Sequence, residues 1–273
     1  MRLQISAPEI AAGALRDATV ATAADALRVD GYVVLGGVVD LAALDAMKAK
    51  LDADTADLLS RTKERGAIPG HLSQSMPRSR AHIHRSIVAN DFVIQVTAAV
   101  LGEGVHNHFY NCNTNLPRSN TQPLHRDAAH LWPDPIHPIT SIIVNISPID
   151  VDEKNGATEL WPGTQRLLGS TRIGRSEEKA RRASEPPVRV VTRKGDAVLR
   201  DPRQWHRGVP NRGREARHMI AMVHSKWFYE SETCIPVTRD ALDAFDHEVL
   251  TTRVELVPDD YDYLSEVVET RRF

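Results

Sequence analysis

Between His106 and Val223 the chain is written in short β-branched runs separated by glycine and proline, and this texture restricts it to a sheet-built fold. His106-Asn-His-Phe-Tyr-Asn-Cys-Asn-Thr-Asn115 alternates polar and less polar residues. Ser141-Ile-Ile-Val-Asn-Ile-Ser147 is a β-branched run, and Glu159-Leu-Trp161 leads into the turn Pro162-Gly163. Val188 to Thr192, Ala197 to Leu199 and His218 to Val223 follow. Short strands at this spacing predict an all-β sandwich or barrel. Residues 168–187, rich in Arg, Glu and Ser, interrupt the series and read as an exposed loop inserted between strands.

The chain before this region is helical in pattern. Residues 1–18 are Ala-rich and predict a short helix or an arm. A helix over Thr19 to Val29 should stop at Asp30-Gly31, and Tyr32-Val-Val-Leu35 reads as a short strand. Asp40 caps a second helix, in which Leu44, Met47, Leu51 and Leu58 recur at helical spacing. Such a stripe is the usual core face of a surface helix. Phe92 to Leu101 forms another amphipathic helix, closed by Gly102. Residues 64–86 carry Gly66, Pro69, Gly70 and Pro77 and predict a long polar loop, a length that is often functional. The segment from Arg239 to Phe273 is acidic with scattered apolar residues, and predicts a helix and a covering arm. No linker divides the chain. We expect one domain over residues 1–273, with a helical part over about 1–102, a sheet core over about 103–230 and a covering segment over 231–273.

A net charge of −2 gives no electrostatic reason to expect nucleic acid or an anionic membrane as partner. The two cysteines, Cys112 and Cys234, are too few for a disulfide framework and do not form a zinc-type pair. The first residues lack the apolar core of a signal peptide, and no run reaches the roughly 18–20 apolar residues of a membrane span. The expectation is a cytoplasmic protein acting on a small molecule, as a monomer or homodimer.

The chemistry concentrates in Gln122-Pro-Leu-His125-Arg-Asp127. On an extended strand, residues two apart face the same way, so His125 and Asp127 can grip one metal ion. His206 follows about eighty residues later, and two histidines with one carboxylate form the facial triad of non-haem Fe(II) oxygenases. A lone H-x-D is weak, because such tripeptides occur by chance. His82-Ile-His84 has the same spacing, but no third ligand or supporting motif accompanies it. Pro210-Asn-Arg-Gly213 reads as a turn, and a hairpin symmetric about Asn211-Arg212 would set Arg217 directly across from His206. Opposed residues lie about 5 Å apart at Cβ. A guanidinium there would suit a dianion that chelates the metal at one end and needs its far carboxylate clamped.

These pieces together resemble the phytanoyl-CoA dioxygenase family of Fe(II)/2-oxoglutarate oxygenases. The resemblance rests on Asp30-Gly-Tyr-Val-Val-Leu35, His125-Arg-Asp127, Asn155-Gly-Ala-Thr158 with Pro162-Gly-Thr164, Gly195-Asp196, and His206 with Arg217, and it covers most of residues 20–228. It implies a mainly β fold, a double-stranded β-helix (jelly roll) with the N-terminal helices packed on one sheet. It implies His125, Asp127 and His206 as iron ligands and Arg217 as the clamp on 2-oxoglutarate, with O2 as the oxidant. Gln122 and Thr158 stand where several relatives touch the co-substrate, and Asn113 is a weaker candidate on the preceding strand. Relatives that halogenate lack the carboxylate, so Asp127 favours hydroxylation, desaturation, epoxidation or ring formation. Tailoring of a bacterial natural product is the expected setting.

Neighbouring residues have plainer readings. Trp132 and Trp205 suit a substrate pocket or core packing equally. Arg126, between the two ligands, should point away from the metal. His130 and His137 read as pocket rim or surface, and Arg189 and Arg200 as strand surface. The same ligands also fit a zinc or nickel isomerase or hydrolase, or a ligand-binding protein without oxygenase activity.

Overall fold

The computed structural model describes residues 1–61, 68–132, 136–229, 231 and 233–266. An eight-stranded sheet forms its frame. The strands are β1 (Arg2–Gln4), β2 (Tyr32–Gly36), β3 (His71–Ser75), β4 (His106–Asn115), β5 (Ser141–Ile146), β8 (Ala197–Arg200), β10 (Arg217–Ser225) and β12 (Thr251–Thr252). Their order is β1-β2-β8-β5-β10-β4-β12, with β3 also paired to β4. A smaller sheet runs β7 (Val188–Arg189), β6 (Glu159–Leu160), β9 (His206–Arg207). Two short strands of the last segment, β11 (Ile235–Val237) and β13 (Val254–Leu256), pair with each other.

The helices expected over Thr19 to Val29, after Asp40 and over Phe92 to Leu101 form. In α2 (Asp17–Asp30) the chain stops at Gly31, whose φ of 81° needs no side chain and whose N–H donates back to the Leu27 carbonyl. Asp40 caps α3 (Leu41–Arg61) by accepting from the Ala43 amide at 2.7 Å. Asn90 caps α5 (Asp91–Leu101) through Val93 in the same way. These helices lay Leu27, Leu44, Met47, Leu51 and Ile94 on one face of the large sheet, against Val33, Leu35, Val144, Ile146, Leu199, Ile220 and Met222. Strand residues alternate between faces. The other face therefore carries Arg217 and Met219 of β10, Asn145 of β5, Val198 and Arg200 of β8, and Val34 of β2. Val34 meets Leu160 and Val190 in a small apolar cluster, which sets the small sheet over this polar face.

Four expectations change. The loop over 64–86 contains β3, which pairs in register with β4 from His71↔Asn115 to Ser75↔Asn111. Its sequence, His-Leu-Ser-Gln-Ser, has no β-branched residue, so the neighbouring strand makes it a strand; residues 62–67 of that loop lie outside the described residues. The inserted loop over 168–187 holds the charged helix α6 (Arg175–Ser184), exposed along its length and held by Arg181–Glu185 and Arg182–Glu178 pairs one turn apart. Besides α1 (Ala7–Ala12), the first residues form β1, parallel to β2. Among the described residues the last segment makes short strands and a 3-10 turn over Arg239–Phe245 rather than an α-helix; residues 267–273 lie outside them. Among the described residues no helix is long and apolar enough to cross a membrane.

Candidate metal centre

His125 is tied to His206 of β9 by its own backbone. The His125 amide donates to the His206 carbonyl at 3.1 Å and the His206 amide returns the bond at 2.9 Å. This exchanged pair places the two imidazoles side by side, ring centres 4.3 Å apart. The Asp127 amide is held by the Pro202 carbonyl at 2.9 Å, which brings its carboxylate to the same spot. One donor atom from each of His125, Asp127 and His206 lies within 4.8 Å of the others, and no other cluster of this kind occurs among the described residues. Asp127 Oδ1 is 3.7 Å from His125 Nε2 and Asp127 Oδ2 is 3.3 Å from His206 Nε2.

The chemistry of this donor set fits a metal ion. His125 Nδ1 bonds the Pro123 carbonyl at 2.8 Å, and His206 Nδ1 bonds the Gln204 carbonyl at 3.0 Å. A carbonyl only accepts, so each Nδ1 carries a proton and each ring turns its Nε2 toward the centre. Burial, then the neighbouring His206, pulls the His125 imidazole down to about 4, so it is neutral at physiological pH. Burial alone would raise the Asp127 carboxyl. His206 and the Arg200 guanidinium outweigh it and hold the group well below the usual carboxylate range.

Arg200 was expected on the strand surface and is instead a part of this centre. It is 6% exposed, donates from Nη2 to Asp127 Oδ2 at 2.7 Å, and donates from Nε to Asn145 Oδ1 at 3.1 Å. The strand alternation could have located it, since Arg200 shares the inner face with Val198 of β8.

Arg217 also lies inside, but not by the route its spacing suggested. It does not oppose His206 in a hairpin. Arg217 pairs with Asn115 in the large sheet, while His206 pairs with Leu160 in the small one. The Pro-Asn-Arg-Gly turn is a crossing between sheets. Asn211 fixes it by donating from Nδ2 to the Asn115 and Glu215 carbonyls and accepting from Gly213 at 2.8 Å. Arg217 is 3% exposed, and its Nη2 donates to the Gly156 carbonyl at 3.1 Å. Burial pulls its guanidinium down to about 10, still charged at neutral pH. A narrow cavity between the sheets is lined by Arg217, Thr158, Met219, Asn145 and Arg200 among others.

The remaining candidates divide. Thr158 lines that cavity, its hydroxyl 4.0 Å from Met219 Sδ. Gln122 accepts from the Gly208 amide at 2.7 Å, just past His206. Asn113 is exposed, opposite Met219 on the same face as Arg217. Trp205 packs with Trp161 and Leu124 as core, whereas Trp132 is largely exposed. Arg126 points away from the donor set and lays its guanidinium 5.7 Å from the Trp205 ring centre. His137 is buried, gripped by Arg203 through its carbonyl at 2.9 Å. His82 and His84 join no metal-binding cluster.

The sequence profile of the phytanoyl-CoA dioxygenase (PhyH) family matches residues 27–219, a span that includes both halves of the donor set and Arg217. The chain belongs to this family. As a phytanoyl-CoA dioxygenase family member it is a non-haem, 2-oxoglutarate-dependent type of enzyme acting on small molecules. Its fold is shared with solved structures of low sequence identity. AviO1 from Streptomyces viridochromogenes Tue57 superposes with a TM-score of 0.57 at 22% identity, over 78% of this chain and 97% of that one. SnoK, a non-haem α-ketoglutarate-dependent carbocyclase from nogalamycin biosynthesis, gives 0.57 at 18% identity, over 78% and 84%. SnoN, an epimerase from the same biosynthesis, gives 0.55 at 19%, over 77% and 82%.

Proposed function

We propose that this protein is an Fe(II)- and 2-oxoglutarate-dependent dioxygenase that oxidises a C–H bond of a small molecule in natural-product biosynthesis. The two sheets are then the two halves of a double-stranded β-helix, with the metal at its open end. The observation that carries the reading is the convergence of three donor atoms within 4.8 Å beside a cavity walled by a buried, charged Arg217.

His125, Asp127 and His206 would hold Fe(II), the two imidazoles through Nε2, since each Nδ1 bonds a backbone carbonyl. Bound iron, with 2-oxoglutarate and O2, supplies the oxidising power for C–H cleavage. Arg217 pairs with the distal carboxylate of 2-oxoglutarate, and the Gly156 carbonyl keeps the guanidinium turned toward the cavity. Thr158 lies within reach of the same carboxylate from the facing sheet. Gln122 steadies the chain after His206 through the Gly208 amide. The Val34, Leu160 and Val190 cluster keeps water from the cavity floor.

The carboxylate at position 127 supports hydroxylation, desaturation, epoxidation or cyclisation over halogenation. A carbocyclase and an epimerase that share this fold support an outcome other than halogenation. Anaerobic titration of the purified protein with Fe(II) and 2-oxoglutarate tests the reading. A visible charge-transfer band, weakened in Arg217→Ala until far more 2-oxoglutarate is added, is the expected result. Tight metal binding without the band would overturn it in favour of a hydrolytic or isomerising metal site.

A further inference from the structure

The large sheet offers the cavity more donors than a single clamp requires. Arg200 spends Nη2 on Asp127 and Nε on Asn145, yet its buried Nη1 meets no hydrogen-bond partner among the described residues. Asn145 accepts from Arg200 through Oδ1, and its buried Nδ2 is likewise unpartnered. Both residues are at least nine-tenths buried, at 6% and 5% exposure, and both line the cavity that holds Arg217. Native interiors rarely leave such groups unmade, and an unmade charged donor costs more than a neutral one. Two orphaned donors on adjacent strands, facing one cavity, point to an oxygen ligand that arrives with the small molecule.

The register places Arg200 at the far end of the cavity from Arg217, with Asn145 between them, beside Ala221 of β10. Arg200 stands beside Ile143 of β5, and Ile143 stands beside Val223 of β10. Val223 is six residues along β10 from Arg217, a span of about 20 Å between Cα atoms at roughly 3.3 Å per residue. Two long side chains reach into one narrow space from its two ends. That arrangement suits a small molecule with an anionic group at each end.

We propose that Arg200 and Asn145 form a second carboxylate site, which takes the carboxylate of 2-oxoglutarate farther from Arg217. Arg200 then performs two tasks with one guanidinium. Nη2 orients Asp127, while Nη1, with Asn145 Nδ2, binds the co-substrate. This inference rests on the proposed function. It differs from it in assigning the end of the dianion that Arg217 does not hold.

The test measures binding rather than turnover. Mn(II) and then 2-oxoglutarate are titrated into wild type, Asn145→Ala, Arg200→Lys, Arg200→Gln and Arg217→Gln by calorimetry, with thermal melting as the control for folding. At saturating Mn(II), Asn145→Ala should raise the 2-oxoglutarate Kd several-fold and Arg200→Gln about ten-fold or more, the loss expected for a charge-assisted bond. Arg200→Lys, which can still pair with Asp127, should keep Mn(II) affinity near wild type and yet bind 2-oxoglutarate more weakly than wild type. If both Arg200 substitutions and Asn145→Ala leave the 2-oxoglutarate Kd unchanged, the second site does not exist. A change confined to Mn(II) affinity would overturn it too, by reducing Arg200 to a support for Asp127. Failure of wild type to bind 2-oxoglutarate at all would instead remove the proposed function, and this inference with it.

Discussion

The Gly156 carbonyl oxygen accepts a hydrogen bond from Arg217 Nη2 at 3.1 Å, so the Asn155-Gly-Ala-Thr158 turn of one layer holds the guanidinium of the other. Gly156 has φ of 91°, and a Cβ there would lie 2.6 Å from Asn115 Nδ2 and 3.0 Å from the Val209 carbonyl. Both neighbours are fixed, since Asn115 itself donates to that carbonyl at 2.9 Å. Gly156→Ala must therefore shift the turn and with it the guanidinium. We expect about a ten-fold or greater rise in the 2-oxoglutarate Kd with metal affinity retained, because a charge-assisted pair depends on alignment. Equal co-substrate titrations for variant and wild type would show that the turn does not aim Arg217.

Removal of one ligand should separate metal from fold. His206→Ala deletes one of three donors, whereas the backbone pair between positions 125 and 206 survives any side chain. Metal content of the purified variant should fall to background while its circular dichroism matches wild type. Full metal loading in His206→Ala would exclude this centre.

Asp201 and Arg203 form a buried pair, 0% and 4% exposed, joined at 2.6 Å. Arg203 also holds the His137 carbonyl, and His137 Nε2 accepts from the Leu131 amide at 3.0 Å. The pair thus anchors the segment after the metal motif. Asp201→Ala leaves a buried cation and should cost roughly 3–5 kcal/mol in denaturant unfolding. A loss below about 1 kcal/mol would place the pair among weak surface bridges.

His224 is fully buried on β10, bonded at 3.0 Å to Thr97 of α5. Burial, then His108 and His106, pulls its imidazole down to about 3. Its folded value lies below its unfolded one, so the unfolded chain takes up a proton first as pH falls below about 6.5. Stability should be complete above that pH and decline below it by about 1.4 kcal/mol per unit from this residue. His224→Gln should flatten the fall in denaturation midpoint between pH 6 and pH 4.5. An unchanged slope would assign the acid sensitivity to other groups.

What was legible in the sequence follows from how local each signal is. The helix stops at Gly31 and Gly102, the caps Asp40 and Asn90, and the strand runs of β-branched residues depend on a few neighbouring positions, and they appear where expected. The meeting of His125, Asp127 and His206 was legible because the H-x-D spacing and a late His mark it in the sequence. The pairing of His206 with Leu160 was not, because a turn of four residues can close a hairpin or cross between sheets, and Asn211's long-range bonds to Asn115 decide which. Strand β3 was hidden for a similar reason, since its polar residues gain their pattern only from β4. Arg200 was misplaced because an arginine next to an aspartate at the end of a strand looks solvent-facing until the partner, Asp127, seventy-three residues earlier, is brought beneath it.

His206 and Arg217 are eleven residues apart yet stand on separate layers. The groups that cross the gap between those layers include a three-residue apolar cluster, the Arg200–Asp127 pair and the Arg217–Gly156 bond. A metal chelated from the small-sheet side and a dianion held from the large-sheet side would rivet the two leaves. The filled enzyme is then a stiffer object than the empty one, gaining stability in step with the logarithm of ligand concentration. Its resistance to heat becomes a gauge of occupancy, readable before any substrate is known.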